Sequence, residues 1–225
     1  MSKRSVCGKT IEECLNTIQQ FHGWKAPGLV VGLFMVDLAI ARMGKGVEFD
    51  AIVESRHCLP DAIQLFTPCT VGNGWLKIVD WDKFALTFYD RHHLNGHRVW
   101  LDLQKTKHHP LYHGWFMQTI HKKDFDNNVL LDAIITAGRS VLSETGVTMT
   151  DLFQRNKKGI IWVCSFCGEA YSADQGARCA VCQGKGYFSP AKDAHIASSG
   201  SRPTRVPISR RARGNDSAAT YHDGA

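Results

Sequence analysis

No apolar run in the 225-residue chain is long enough to cross a bilayer. The longest, Leu29 to Ala41, is interrupted by Asp37 and falls short of the roughly 20 residues a spanning helix needs. It reads as a buried core helix. The amino-terminal Met-Ser-Lys-Arg-Ser-Val-Cys has no apolar stretch behind its basic residues, so the layout of a secretory signal is missing and a cytoplasmic location is expected. No convincing internal repeat is present. A strong excess of one charge is also missing. The net charge of +6 is spread over the whole chain, which permits an acidic partner without demanding one.

What is there can build a substantial core. At 44% hydrophobic, a chain of this length suggests one main domain and something small beside it. Thr10 followed by Glu13 is a capping box ahead of Cys14, Leu15, Ile18 and Phe21, and His22-Gly23 closes that helix. Ala26-Pro27-Gly28 opens a strongly apolar helix through Met43, where Gly28 and Gly32 would let another backbone approach. Phe49 to Glu54 is strand-like, Leu59 to Phe66 helical, and Trp75 to Val79 the next strand. Phe84 to Tyr89 and His97 to Leu103 read as strands around an Asn95-Gly96 turn. Asp124 to Thr145 follows helical spacing, with Asp124 as N-cap and Gly146 as stop. The expected fold is α+β, an antiparallel sheet packed with helices over residues 1–150. Residues 151–159 read as a linker, 160–188 as a small module, and 189–225 as a disordered tail lacking large apolar residues.

The module holds the strongest signal. Cys164-Ser-Phe-Cys167 and Cys179-Ala-Val-Cys182 are two C-x-x-C knuckles eleven residues apart, a spacing that brings four soft ligands into the tetrahedron zinc accepts. Two disulfides, a redox dithiol or a rubredoxin-type iron use similar spacings. Structural zinc is favoured because four ligands leave no open position and a reducing cytoplasm disfavours disulfides. Gly168 and Gly184 would turn the knuckles, and Trp162, Tyr171 and Tyr187 would shield the metal.

Chemistry outside the module has several candidates. His22 lies at a helix-to-helix junction, which can aim it into a cleft. Cys58 and Asp61 sit at the start of a short helix, whose dipole would favour a Cys58 thiolate. Cys69 and Thr70 precede a Val71-Gly72-Asn73-Gly74 loop whose amides could meet a small anion. His92, His93, His97, His108, His109, His113 and His121 crowd one stretch, read as a solvated loop; the alternative sends His109 or His113 into a cleft.

The succession F-H-G-x-x-x-P-G, E-x-x-x-C-x-x-D-A-I-Q, C-T-x-G-x-G and A-x-T-F-Y-x-R resembles the FmdE family, the E-subunits of formylmethanofuran dehydrogenase. The likeness covers roughly the first 145 residues, and the appended finger is similar as well. The resemblance implies an α+β core that pairs into a homodimer, a treble-clef zinc finger, and a core cleft formed by His22, Cys58, Asp61, Cys69 and Thr70. It also implies a second transition metal held by His22, Cys58 and Cys69, and association with molybdenum or tungsten enzyme subunits of methanogenesis-related C1 metabolism. Many relatives read F-H-G-H-x-C-P-G; Trp24 and Ala26 here remove two of those ligands. The chain is thus expected to be an accessory or stand-alone protein of C1 or redox metabolism. A competing reading is a regulatory protein meeting nucleic acid through Lys157, Lys158, Arg178, Lys185 and the tail arginines Arg202, Arg205, Arg210, Arg211 and Arg213. A third makes the finger a dimer-stabilising device.

Overall fold

A computed structural model of the chain describes residues 5–150, 159–188 and the pair 204–205. The chain divides into two compact units, 1–155 and 156–225. Among the described residues no helix is long and apolar enough to cross a membrane.

In the first unit a short hairpin, β1 (Ser5–Val6) and β2 (Lys9–Thr10), feeds α1 (Ile11–His22). The capping box forms as its sequence predicts: the Glu13 amide donates to Thr10 Oγ1 at 3.2 Å and the Thr10 amide to Glu13 Oε2 at 2.7 Å. α1 stops at Gly23, whose φ of 88° suits a residue without a Cβ. α2 (Pro27–Met43) follows with proline in its first turn and buried residues on every side, the mark of a central helix. It lies against α3 (Leu59–Phe66), the sheet and α6 (Asn127–Ala137).

The sheet runs β4 (Leu76–Ile78), β3 (Phe49–Val53), β5 (Ala85–Asp90), β6 (Asn95–Leu101), β7 (Leu142–Thr148). Three of its pairings are antiparallel. β3 and β4 are parallel, Ala51 opposite Leu76, because α3 serves as the crossover that parallel strands require.

Several expectations need correction. The β5–β6 turn is built from residues 91–94, with Asp90 Oδ1 accepting from the His92 and His93 amides, while Asn95-Gly96 already belongs to β6. Gly96 is there for space, since a Cβ would sit 2.1 Å from the Phe88 carbonyl oxygen. The helix expected over 124–145 begins at Asn127, capped by Asp126, ends at Ala137, and gives way through a 3-10 turn to β7. The histidine-rich stretch is partly helical, with α4 (Leu103–Thr106) and α5 (Pro110–Phe116).

α2 and α3 touch through glycine. A Cβ on Gly32 would come within 2.6 Å of Ala62 Cβ and 3.1 Å of Leu59 Cδ2. In an exposed helix Gly→Ala adds about 1 kcal/mol of stability; here the sign reverses. Gly32→Ala is expected to lower core stability by about 2 kcal/mol, read as a lower urea midpoint with an unchanged slope.

The second unit pairs β8 (Ile161–Val163) with β9 (Ala170–Ser172) on one side and with β10 (Thr204–Arg205) on the other. The disorder expected of 189–225 otherwise lies outside the described residues, as does the linker over 151–158; the Thr204–Arg205 pairing corrects it at those two positions.

Candidate functional site

The finger presents its ligands as the spacing predicts. The thiols of Cys164, Cys167, Cys179 and Cys182 all lie within 4.8 Å of one another, and they are the one such group of three or more His, Cys, Asp or Glu among the described residues. Zn–S bonds of about 2.3 Å in a tetrahedron place sulfurs roughly 3.8 Å apart; Cys167 Sγ and Cys179 Sγ are 3.7 Å apart. All eight cysteines are free thiols. Gly168 and Gly184 turn at φ values of 77° and 81°. The Cys182 amide donates to Cys179 Sγ at 3.5 Å, and Trp162 packs edge-on to Tyr171. Tyr187 does not shield the metal; it is 98% exposed.

Crowding sets the thiols against one another. Burial opposes ionisation of Cys164, but backbone amides of Cys179, Cys167 and Phe166 outweigh it and bring the thiol down to about 6. Burial and the three neighbouring sulfurs push Cys182 up to about 12. A cation is what lets all four ionise together.

In the core, His22 at the end of α1 meets Asp61 in the first turn of α3, Nδ1–H donating to Oδ2 at 2.9 Å. Their side chains are 28% and 30% exposed, so the pair is reachable. With Nδ1 occupied, Nε2 is the free ring nitrogen. The segment between His22 and α2 carries Trp24, whose ring centroid is 6.4 Å from that of His22.

Cys58 sits immediately before α3 at φ 58°, ψ −51°. Such a backbone costs a non-glycine residue on the order of 1–3 kcal/mol and is often kept at working sites. Its sulfur packs on the bare α-carbon of Gly28, where a Cβ would be 2.7 Å away, with Phe84 behind it and Phe116 edge-on to Phe84. The expected thiolate is not favoured. Burial and the neighbouring Asp61 raise the Cys58 thiol above its ordinary value.

Cys69 and Thr70 stand apart from these residues. Cys58 precedes α3 and Cys69 follows it, and eight residues of helix separate their ends by roughly 12 Å. Cys69 is buried, its thiol donates to the Phe49 carbonyl at 3.5 Å, and burial pushes it up to about 11. Thr70 closes its own loop: its amide donates to Asn73 Oδ1 and its hydroxyl accepts from the Asn73 amide. The amides of Val71, Gly74 and Trp75 are likewise used, on Gln64, Val71 and Asn73, so the loop is no anion cradle. His22, Cys58 and Cys69 therefore do not assemble as a second metal site. Among the histidines, His109 precedes α5 and His113 Nδ1 lies 2.7 Å from Thr106 Oγ1.

Sequence reasoning missed one buried support. Glu54 takes both Arg98 Nε at 2.6 Å and Arg98 Nη2 at 2.7 Å, tying β3 to β6, and its carbonyl accepts from the Trp81 and Lys83 amides. This pins the segment leading to Cys58. An acidic residue directly after the apolar run Ala51-Ile52-Val53 was the available signal.

A mixed α+β core with an appended four-thiolate finger is the class of protein these features define. Residues 21–151 match the family described as FmdE, molybdenum formylmethanofuran dehydrogenase operon, and residues 155–189 match the FmdE treble clef zinc finger. The crystal structure of an FmdE-like protein of tungsten formylmethanofuran dehydrogenase type, from Syntrophus aciditrophicus, is 37% identical, covers 84% of this chain and 100% of that one, and superposes with a TM-score of 0.75. A probable S-adenosyl-L-methionine-binding protein of Archaeoglobus fulgidus is 33% identical over 97 residues, 40% of this chain and 26% of that protein. The chain thus spans about a quarter of that curated relative. It belongs to the FmdE family.

Two outcomes check the site. Zinc is expected to stay bound at pH 7 and to be released as acidification lets protons compete for the four thiolates; equilibrium dialysis with metal analysis reads this directly. Iodoacetamide labelling of Cys58, followed by peptide mass spectrometry, should be slower at pH 7 than that of an exposed thiol and should climb only at a higher pH than the exposed thiol requires.

Proposed function

We propose that this chain is an FmdE-type accessory or stand-alone protein of C1 or redox metabolism, with one structural zinc in its finger and a core site that binds a small organic ligand. The observation that carries this reading is the His22–Asp61 hydrogen bond, formed across 39 positions of sequence between α1 and α3. A carboxylate that fixes one ring nitrogen and leaves the other free prepares an imidazole to accept a proton or hydrogen bond from a ligand. Trp24, 49% exposed, offers an aromatic face beside it. The Archaeoglobus relative's description as a probable S-adenosyl-L-methionine-binding protein makes that cofactor the first ligand to test, and a sulfonium beside an indole is a favourable pairing.

The division of labour follows the same lines: residues 1–150 carry the ligand site and 160–188 the zinc. The family resemblance supports a homodimer, with association to molybdenum or tungsten enzyme subunits as the partnered form. The second transition metal has no assembled ligand set behind it, so the proposed chemistry needs only the finger's zinc.

Metal analysis of the tag-free full chain together with titration calorimetry against S-adenosyl-L-methionine tests this. One zinc per chain is expected, abolished by Cys164→Ser and untouched by His22→Ala, with Asp61→Asn and His22→Ala each weakening ligand binding about tenfold. A second equivalent of metal that His22→Ala removes would replace the ligand reading with a metal reading. Unaltered affinity in both variants would remove the core site from the function.

A further inference from the structure

The finger's sheet is completed by a strand from far along the chain. β10 pairs antiparallel with β8, Thr204 opposite Val163 and Arg205 opposite Trp162, on the side away from β9. Opposed residues in an antiparallel pair alternate between exchanging both backbone bonds and exchanging none, so one of these two pairs carries the docking. The local sequence is Arg202-Pro203-Thr204-Arg205-Val206-Pro207. Neither proline has an N–H, so a ladder cannot continue through them. The docking strand is thereby kept short, and its own outer edge is poorly suited to pair again.

β8 needs a cover. Gly159-Ile160-Ile161-Trp162-Val163 is uncharged and rich in β-branched residues, and Ile160 and Ile161 are 43% and 45% exposed. An apolar, uncharged edge of this composition is a template for another chain. Position adds a second consequence. Val163 immediately precedes Cys164, whose amide donates to the Glu169 carbonyl at 2.8 Å and whose carbonyl accepts from the Gly168 amide at 2.8 Å, closing the first knuckle. The Ile160 carbonyl and the Cys164 amide bond to Ala173 and Glu169 at the two ends of β9, so the alternation turns Val163 toward β10, and a strand bonded there restrains the backbone that delivers the first zinc ligand.

We propose that the edge of β8 is a strand-addition site whose occupant is the chain's own proline-bracketed segment around Thr204–Arg205, docked in cis to hold the first knuckle and to deny the edge to a second copy. Residues 189–203 join Phe188, after the finger, to Thr204, a length of chain that could span up to roughly 50 Å. Tethering supplies the segment at an effective concentration on the order of a millimolar, enough to favour a short strand that would not dock from free solution at low concentration.

Amide hydrogen exchange on the zinc-loaded full chain tests this against two variants: the double substitution Thr204→Pro with Arg205→Pro, and the chain ending at Phe188. Both variants are expected to exchange the Val163 amide about tenfold faster, with the Trp162 amide on β9 as the internal reference, and to pass zinc to a chromophoric chelator several-fold faster. A synthetic peptide of residues 201–208 should restore protection to the truncated chain. The full-length double variant decides the matter even where truncation costs the finger its zinc. Equal protection in the full chain and the double variant overturns the proposal. Protection of the Val163 amide in the full chain that falls on dilution gives the edge to a second copy and overturns the cis occupant.

Discussion

The core depends on how closely α2 and α3 approach, and two missing β-carbons set that distance. Gly28 leaves room for the Cys58 sulfur and Gly32 for Ala62 and Leu59, so the helices pack nearly backbone to backbone. α2 is the buried axis on which the sheet, α3 and α6 are assembled. Because α1 ends just before α2 and Asp61 sits in the first turn of α3, the same approach carries His22 to Asp61. The crossover geometry of α3 also forces β4 parallel to β3. A change of helix spacing would therefore be felt at the site and in the sheet order together.

Polar groups then fix what apolar packing leaves free. Asp37 interrupts the apolar run of α2, which alone argues against a membrane helix; in the fold it gathers three elements. Arg139 donates to its carboxylate from Nε at 2.7 Å and to its carbonyl from Nη2 at 2.8 Å, while the Cys7 amide donates to the other carboxylate oxygen at 2.7 Å. The amino-terminal hairpin and the end of α6 are thereby tied to the central helix. Glu54 and Arg98 do the same for β3 and β6. The Asp37–Arg139 pair is only partly buried, its arginine 38% exposed, whereas Glu54 is 5% exposed, and losing Arg98 would strand that carboxylate at a cost of about 3–5 kcal/mol. The contribution of both pairs is to select one arrangement.

The parts of the fold legible in the sequence are those written locally. The Thr10–Glu13 box, the Gly23 stop, the Pro27 start and the two C-x-x-C knuckles each depend on residues a few positions apart. The misread parts depend on distant neighbours. Asn95-Gly96 has turn chemistry, but the Phe88 carbonyl across the ladder claims the space a Cβ at 96 would need, and Asp90 supplies the turn instead. Residues 142–145 continue a helical spacing on paper; pairing with β6 makes them the start of a strand. At the site, His22, Cys58 and Asp61 could be singled out by residue type, but the separation of Cys69 from them follows from the length of α3 and its burial beneath the Phe49 carbonyl.

The substitutions at Trp24 and Ala26 narrow what the remaining core residues can do. Ala26 is buried at the N-cap of α2 and offers no side-chain acceptor, and Trp24 offers an indole ring, which is no metal ligand. His22 already uses Nδ1 on Asp61, so it has one nitrogen to give. A tetrahedral metal site needs three or four protein ligands held at fixed distances, whereas accepting a proton or a hydrogen bond needs one lone pair and an orienting partner. Cys58, kept neutral by burial and by Asp61, fits the second requirement better than the first, because a metal ligand must be a thiolate. The core residues thus suit proton or hydrogen-bond exchange better than metal ligation, and the four thiols of the finger, from a different part of the chain, suit the metal.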